Sequence, residues 1–214
     1  MSAAALSYAY GTTLHALRDR AMLRPGETVL VLAAAGGAGL AAVQLAKLMG
    51  ARVIAAASAR KLDTCREAGA DAIVDYRQEN WRNAVRDLAG AAGVDVVYDA
   101  VGGPYSEPAL RSLGWGGRHL VVGFAAGEIP RIPLNLTLLK GCGILGVSYG
   151  GFAKRDPEAN RALVGQLLAW VRDGSLRPRI SATHPMEQAA AALESLRSRS
   201  ITGKVVLVMQ RPSG

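Results

Sequence analysis

Two stretches carry residues whose types and spacing could do chemistry. The first is Ala34-x-Gly36-x-x-Gly39, set between the apolar run Thr28–Ala33 and the apolar helical run that ends at Met49-Gly50. A turn without large side chains lets an anionic diphosphate reach the unpaired backbone N–H groups of a helix N-terminus. This is the G-x-G-x-x-G dinucleotide pattern with Ala at its first glycine, and its strand-then-helix context makes it specific. The second stretch lies about 20 residues further on. An NAD-selective site places Asp or Glu there, at the end of the second strand, to bind the ribose 2′-hydroxyl. Here that place holds Ala57-Ser58, followed by Arg60 and Lys61. A carboxylate would repel a 2′-phosphate, whereas a serine and two cations accept it, so NADPH is expected over NADH. Tyr76, with Arg77 beside it, is placed to flank the adenosine.

Other chemistry is thinly represented. Cys65 and Cys142 stand far apart and outside any Cys/His cluster, so no metal site and no disulfide is expected. His15, His119 and His184 are scattered, and isolated histidines read as structural, His184 within a loop. The net charge of +8 comes from 25 basic and 17 acidic residues. The basic residues are dispersed, without aromatic interleaving, so a solvated surface is expected rather than a nucleic-acid reader. No run is as long as a membrane span, and the start lacks a basic segment ahead of an apolar one, so a soluble, cytoplasmic protein is expected. The 214 residues, half of them hydrophobic, suffice for a full core, and 25 glycines suit an α/β protein with many short turns.

The elements that must position these residues follow from periodicity. Leu6, Tyr10, Leu14, Leu17 and Ala21 recur at helical spacing and predict an opening helix over 2–22. Strands are expected over 28–33, 52–57, 72–75, 94–99, 118–123 and 144–147, with helices over 60–68, 80–88, up to Leu110, and 134–140. Gly116-Gly117 reads as the turn into the fifth strand, and Gly127–Pro133 as a loop. Asp156-Pro157 is a helix start, Asp as N-cap and Pro in the first helical position. Leu163, Val164, Leu167, Leu168 and Val171 form that helix's expected core face, and Met186, Ala189, Ala190, Leu193 and Leu196 that of a later helix. Gly203–Val208 reads as a closing strand, and Arg211–Gly214 as a frayed end. Alternating strands and helices predict a Rossmann-type, doubly wound, six-stranded parallel sheet with helices on both faces and further strand and helix elements at the C-terminal end.

The sequence resembles the cofactor-binding half of the zinc-independent medium-chain dehydrogenase/reductases, nearest to the NADPH:quinone oxidoreductases related to zeta-crystallin. Matching segments run nearly its whole length. They include Ala9-Tyr10-Gly11-Thr12, Arg24–Val31, Ala33–Lys47, Gly69-Ala70-Asp71, Asp75-Tyr76-Arg77, Gly93–Asp99, Gly116-Gly117-Arg118, Val122–Gly127 and Thr202–Leu207. The resemblance implies that Ala35, Gly36, Gly37 and Ala38 hold the diphosphate, and that Ser58, Arg60, Lys61 and Tyr76 hold the adenosine and its 2′-phosphate. It implies that Val101 lines the cleft. Gly123, Phe124, Ala125, Val147 and Ser148 would lie along the nicotinamide, with Thr12 approaching from the first helix. Ser148 and Tyr149 are the only polar candidates near the reacting end, and no catalytic residue is assigned.

The resemblance further implies hydride transfer from NADPH to a small electrophile, a quinone or α,β-unsaturated carbonyl. Two alternatives are an enoyl-thioester reductase of polyketide-synthase type and a catalytically silent NADPH-binding module that also binds RNA. Family members begin with a GroES-like barrel that forms the other wall of the active site. This sequence starts inside the helix that follows it, so the barrel is expected to be absent. Residues 1–175 would be the dinucleotide-binding domain, and 176–214 the elements that pack on the barrel. A homodimer through the edge strand at 143–148 is also implied.

Overall fold

The computed structural model describes residues 2–6, 8–197 and 201–209, so the frayed end expected at 211–214 lies outside the described residues. Leu6, Tyr10, Leu14, Leu17 and Ala21 are all buried, as their spacing predicts. The single helix expected over 2–22 is instead α1 (Ser2–Leu6), α2 (Ala9–Leu14) and a π-helical turn over His15–Arg20. The wider turn accommodates His15, whose ring stacks on Phe152 at 4.2 Å between centroids and whose Nδ1 hydrogen-bonds Asp19.

The chain then alternates β1 (Thr28–Leu32), α3 (Gly37–Leu48), β2 (Arg52–Ala57), α4 (Leu62–Glu67), β3 (Ala72–Asp75) and α5 (Trp81–Ala89). It continues with β4 (Val94–Asp99), α6 (Ser106–Arg111), β5 (Leu113–Val121), α7 (Asn135–Lys140) and β6 (Gly143–Gly146). The six strands form one parallel sheet in the order β3-β2-β1-β4-β5-β6, the expected doubly wound arrangement. Several boundaries differ from the sequence reading, and β5 ends at Val121 rather than at Gly123. β1 stops at Leu32 because Ala33 takes φ 50° and turns the chain out of the sheet. β5 starts at Leu113, and the glycine pair read as a turn sits inside it, where the register with β4 shifts between Val94 and Val96. β6 ends at Gly146, although the Val147 N–H still bonds the Val121 carbonyl at 3.0 Å.

Alternation along β1 sends Val29 and Val31 to one face and Leu30 and Leu32 to the other. The first face is covered by α2, α3 and α9 (Pro157–Arg172), and the second by α5, α6 and α7. Two hydroxyl contacts fasten the first layer: Thr13 Oγ1 lies 2.9 Å from the Tyr98 hydroxyl, and the Tyr10 hydroxyl donates to Gln44 at 2.8 Å. Between β6 and α9 runs α8 (Tyr149–Arg155), a helix the sequence reading missed. α9 starts as predicted, with Asp156 Oδ1 accepting from the Ala159 N–H at 2.9 Å. Its buried stripe is narrower than expected. Leu163 and Leu167 are fully buried but Leu168 is 46% exposed, because α9 leans on α2 and α8 rather than on a broad sheet surface.

The last elements are β7 (Ile180–Pro185), α10 (Ala189–Arg197) and β8 (Lys204–Val208). β8 pairs in parallel with β7 as a separate two-stranded sheet, so His184 stands in a strand rather than in a loop. The predicted core face of the late helix is turned outward. Met186, Leu193 and Leu196 are 43%, 66% and 48% exposed, and only Ala192 is buried. Among the described residues no helix is long and apolar enough to cross a membrane.

Candidate functional site

Strand order reverses between β1 and β4, and a cleft of about 320 Å³ opens at their carboxyl ends. The turn after β1 forms its floor. The Gly36 N–H bonds the Ala33 carbonyl at 2.9 Å, and the first intrahelical bond runs from the Leu40 N–H to the Gly36 carbonyl at 2.8 Å. The N–H groups of Gly37, Ala38 and Gly39 therefore have no intrahelical partner and lie at the head of a 12-residue helix. Gly39 is where α3 crosses the turn. A Cβ there would stand 2.2 Å from the Ala33 carbonyl oxygen.

β8 closes over this turn. The Gly203 N–H bonds the Ala35 carbonyl at 3.2 Å, and Gly36 forms a parallel bridge with Gly203. That contact brings Lys204 across the helix head, with its Nζ 3.0 Å from where a Gly37 Cβ would be. Burial lowers the Lys204 pKa, and its ammonium has no ion-pair partner among the described residues. Sequence reasoning missed Lys204. It lies far from the glycine turn along the chain and reaches it only through β7, whose polar Ser181-Ala182-Thr183-His184-Pro185 run gives little strand signal.

The far end of the cleft is cationic. Ser58 is buried at the end of β2, with Arg60 exposed and Lys61 half-buried in the short 3₁₀ turn that follows. Lys61 Nζ donates to the Ile201 carbonyl at 2.8 Å. Burial, and behind it the charges of Arg60 and Arg77, holds the Lys61 pKa below the usual lysine range. Asp75, which ends β3, is engaged in its own turn, accepting from the Arg77 N–H at 3.0 Å and from Gln78 at 3.3 Å. Tyr76 meets Tyr105 edge to face at 4.9 Å between centroids, which adds Tyr105 to the cleft wall. Tyr105 follows the Gly102-Gly103-Pro104 break after β4, so an aromatic just past a strand end was its available signal.

The opposite wall is tied together by backbone bonds. Ala125 and Ala126 N–H groups bond the Ala100 and Val101 carbonyls at 3.2 and 2.8 Å. Beneath them Asp99 is buried and accepts four hydrogen bonds. Oδ1 takes the Val101 and Gly102 N–H groups at 2.8 and 2.9 Å, and Oδ2 takes Ser106 Oγ at 2.5 Å and His119 Nε2 at 3.1 Å. Burial pushes the Asp99 carboxyl up, but the bonds from His119, Gly102 and Ser106 more than offset it and hold the pKa below the usual carboxylate range.

The cleft thus brings together Ala35, Gly36, Gly37, Ser58, Arg60, Lys61, Tyr76, Val101 and Ala125. Ala38 lies next to it on the helix head. Phe124 packs over Gly102 and is 41% exposed, with Gly123 beside it above the Ala100 carbonyl, and neither lines the cleft. Thr12, Val147 and Ser148 stand outside it as well. Thr12 Oγ1 is buried without a hydrogen-bond partner among the described residues. Tyr149 stands outside the cleft too. Its ring packs on Gly11, its hydroxyl donates to Asn160 at 2.8 Å, and burial pushes its pKa up. Among the described residues no group of three or more His, Cys, Asp or Glu could hold a metal ion, and Cys65 and Cys142 are both free and buried.

The profile of a family described as zinc-binding dehydrogenase matches residues 37–166. The quinone oxidoreductase-like protein 2 homolog of Nematostella vectensis is 42% identical over 207 residues, which is 96% of this chain and 57% of that protein. The chain therefore spans less than two thirds of that relative. The crystal structure of a probable oxidoreductase from Mycobacterium abscessus superposes with a TM-score of 0.84 at 38% identity, covering 95% of this chain and 61% of that one. A mycobacterial protein, Rv1454c, solved in complex with NADPH, gives a TM-score of 0.88 at 30% identity, covering 96% and 63%.

Proposed function

The chain belongs to the zinc-binding dehydrogenase family, among its medium-chain oxidoreductases of the quinone oxidoreductase-like kind, and from that premise we propose that it is the NADPH-binding domain of a quinone or enone reductase. One observation carries the reading. The helix-head N–H groups, which have no intrahelical partner, and the Lys204 ammonium stand at one end of the cleft, and Ser58, Arg60 and Lys61 stand at the other without a carboxylate among the lining residues.

The Gly37 and Ala38 N–H groups and Lys204 would hold the diphosphate, with Ala35 and Gly36 letting it come close. Ser58, Arg60 and Lys61 would take the 2′-phosphate, and Tyr76 with Tyr105 the adenine. Val101 and Ala125 would wall the cleft. Thr12, Gly123, Phe124, Val147 and Ser148 would border the nicotinamide end. NADPH, when bound, supplies the hydride that reduces the electrophile. The protein's part is to orient the cofactor and keep water from it. Residues 1–175 would form the body of this domain, with Lys204 reaching its cleft from the later segment. The exposed apolar side chains of Met186 and Leu193 favour packing of residues 176–214 on a further domain.

Calorimetric titration tests the cofactor reading. NADPH is expected to bind at least about tenfold more tightly than NADH, and Arg60→Ala to remove most of that difference while leaving NADH affinity unchanged. Equal affinities in the unaltered chain would sink the 2′-phosphate assignment. NADPH oxidation with a quinone, compared with a crotonyl thioester, separates the quinone reading from the enoyl-thioester one.

The same reading includes a homodimer through β6. That strand has β5 on one side and no strand on the other among the described residues, and Ile129, Leu134 and Leu138 nearby are 71%, 76% and 80% exposed. Pairing with a second copy would cover both the open edge and this apolar patch. Light scattering is expected to show a dimer at micromolar concentration and a monomer for Leu138→Glu. A monomeric unaltered chain counts against the pairing.

A further inference from the structure

A second cavity, about 410 Å³, opens at the other end of the sheet. Its floor is the amino ends of β4 and β5, where Gly93 and Gly114 bring two backbones together, and a Cβ at Gly114 would stand 2.0 Å from the Ala92 carbonyl oxygen. β4 is six residues long, so this floor lies about 20 Å from the dinucleotide cleft. No residue of one cavity lines the other.

Its charge is one-sided. Arg82 and Arg86 enter from α5, Arg111 from the end of α6 and Lys140 from the end of α7, and no acidic residue lines the cavity. Arg111 is tied to Glu107 at 2.7 Å and Lys140 to the Leu113 carbonyl at 2.6 Å. Arg86 reaches only its neighbour Asp87, at 3.7 Å, and Arg82 has no ion-pair partner among the described residues. Arg82 and Arg86 are four apart on one helix, a like-charge spacing that weakens a helix unless an anion sits between them. The rim carries an aromatic plane. Trp115 is 83% exposed, and its ring lies so close to Gly141 that a Cβ there would be 3.1 Å away, which braces one face of the indole and leaves the other open.

We propose that this cavity is a second ligand site, for a small organic phosphate bearing a planar ring, of the nucleoside monophosphate class. The phosphate takes the guanidiniums of Arg82, which has no ion-pair partner among the described residues, and Arg86, whose ion pair is the 3.7 Å contact with Asp87, through bidentate hydrogen bonds, and the ring stacks on the open face of Trp115. The volume lies within the range of small-molecule sites. The inference does not depend on what fills the dinucleotide cleft.

Uridine monophosphate and inorganic phosphate are the probes, added to the full chain at low salt, with the indole N–H resonance of Trp115 (assigned by its loss in Trp115→Phe) as a reporter confined to this cavity. Uridine monophosphate is expected to shift that resonance saturably. The double variant Arg82→Gln/Arg86→Gln, altered only at exposed helix positions, is expected to weaken the response at least tenfold with its circular dichroism unchanged. No shift at millimolar ligand overturns the proposal. So does a response equal in the double variant, or one matched at the same concentration by inorganic phosphate, which would mean a diffuse basic surface.

Discussion

Gly39→Ala is expected to lower the melting temperature of the chain by about 5–15 °C and to abolish NADPH binding. The added Cβ would stand 2.2 Å from the Ala33 carbonyl oxygen and 2.6 Å from Ala34 Cα. Both are backbone atoms, so no rotamer change relieves the overlap. The turn has little freedom to give, because Ala33 already sits at φ 50°. The remaining response is for α3 to lift off the end of β1, which loosens buried Leu40, Val43 and Leu45 against the sheet. Overpacking typically costs about 1–3 kcal/mol and more where only backbone can give, and each kcal/mol moves the midpoint of a chain this size by roughly 2–4 °C. The same displacement tilts the Gly37 and Ala38 N–H groups away from the diphosphate position. Gly36→Ala provides the contrast. Gly36 has φ −79°, and its Cβ would lie 3.3 Å from the Ala33 oxygen, so its melting temperature should fall far less. Thermal melts and calorimetry on the two variants decide the matter. A Gly39→Ala chain that melts and binds like the unaltered one would show that the helix crossing is looser than these distances require.

The contrast between Gly39 and Lys204 also shows what the sequence could and could not disclose. The glycine spacing is local, and it lies between an apolar strand and an apolar helix, so the turn and its use of backbone donors are legible from neighbouring residues. The six strands were legible for the same reason, since each apolar run is bounded by glycine or polar residues and the connections are short. That Ser58, Arg60 and Lys61 line the cleft is legible because their position follows from counting along one strand–helix–strand unit. Lys204 is different. Its place over Gly37 depends on β8 pairing with β7, and a strand written Ile180-Ser181-Ala182-Thr183-His184-Pro185 has weak alternation and ends in proline. Helical periodicity has the opposite shortcoming. It gives the late helix an apolar face, but Met186 and Leu193 stay exposed and Leu196 borders the cleft, because periodicity states that a face is apolar and not what covers it. Leu168 of α9 errs the same way. The π-helical turn after α2 was hidden because the buried positions keep nearly helical spacing through it.

Asp99 is the buried group on which the cleft wall depends most. Asp99→Ala is expected to cost about 3–5 kcal/mol, since it strands the Val101 and Gly102 N–H groups, the Ser106 hydroxyl and the His119 N–H without an acceptor. Asp99→Asn should cost less. Its carbonyl oxygen can still accept from Val101 and Gly102, and its amide can donate to His119 Nε2 if the ring proton moves to Nδ1. That proton would then be stranded, because Nδ1 has no partner among the described residues. The pH dependence follows from the depressed carboxyl. Its folded-state pKa lies below the unfolded value of about 3.9, so the contribution is complete above that value and is lost as pH falls through the folded one. Denaturant titrations should therefore show the Asn variant well below the unaltered chain at pH 7, with the gap closing under about pH 4. A gap that stays constant into acid would mean that the charge of Asp99 contributes nothing and that its shape alone supports the turn. Because Val101 and Tyr105 hang from that turn and line the cleft, the Asn variant should also bind NADPH more weakly at pH 7, where it remains folded. That loss separates the positioning of the wall from the stability of the domain as a whole.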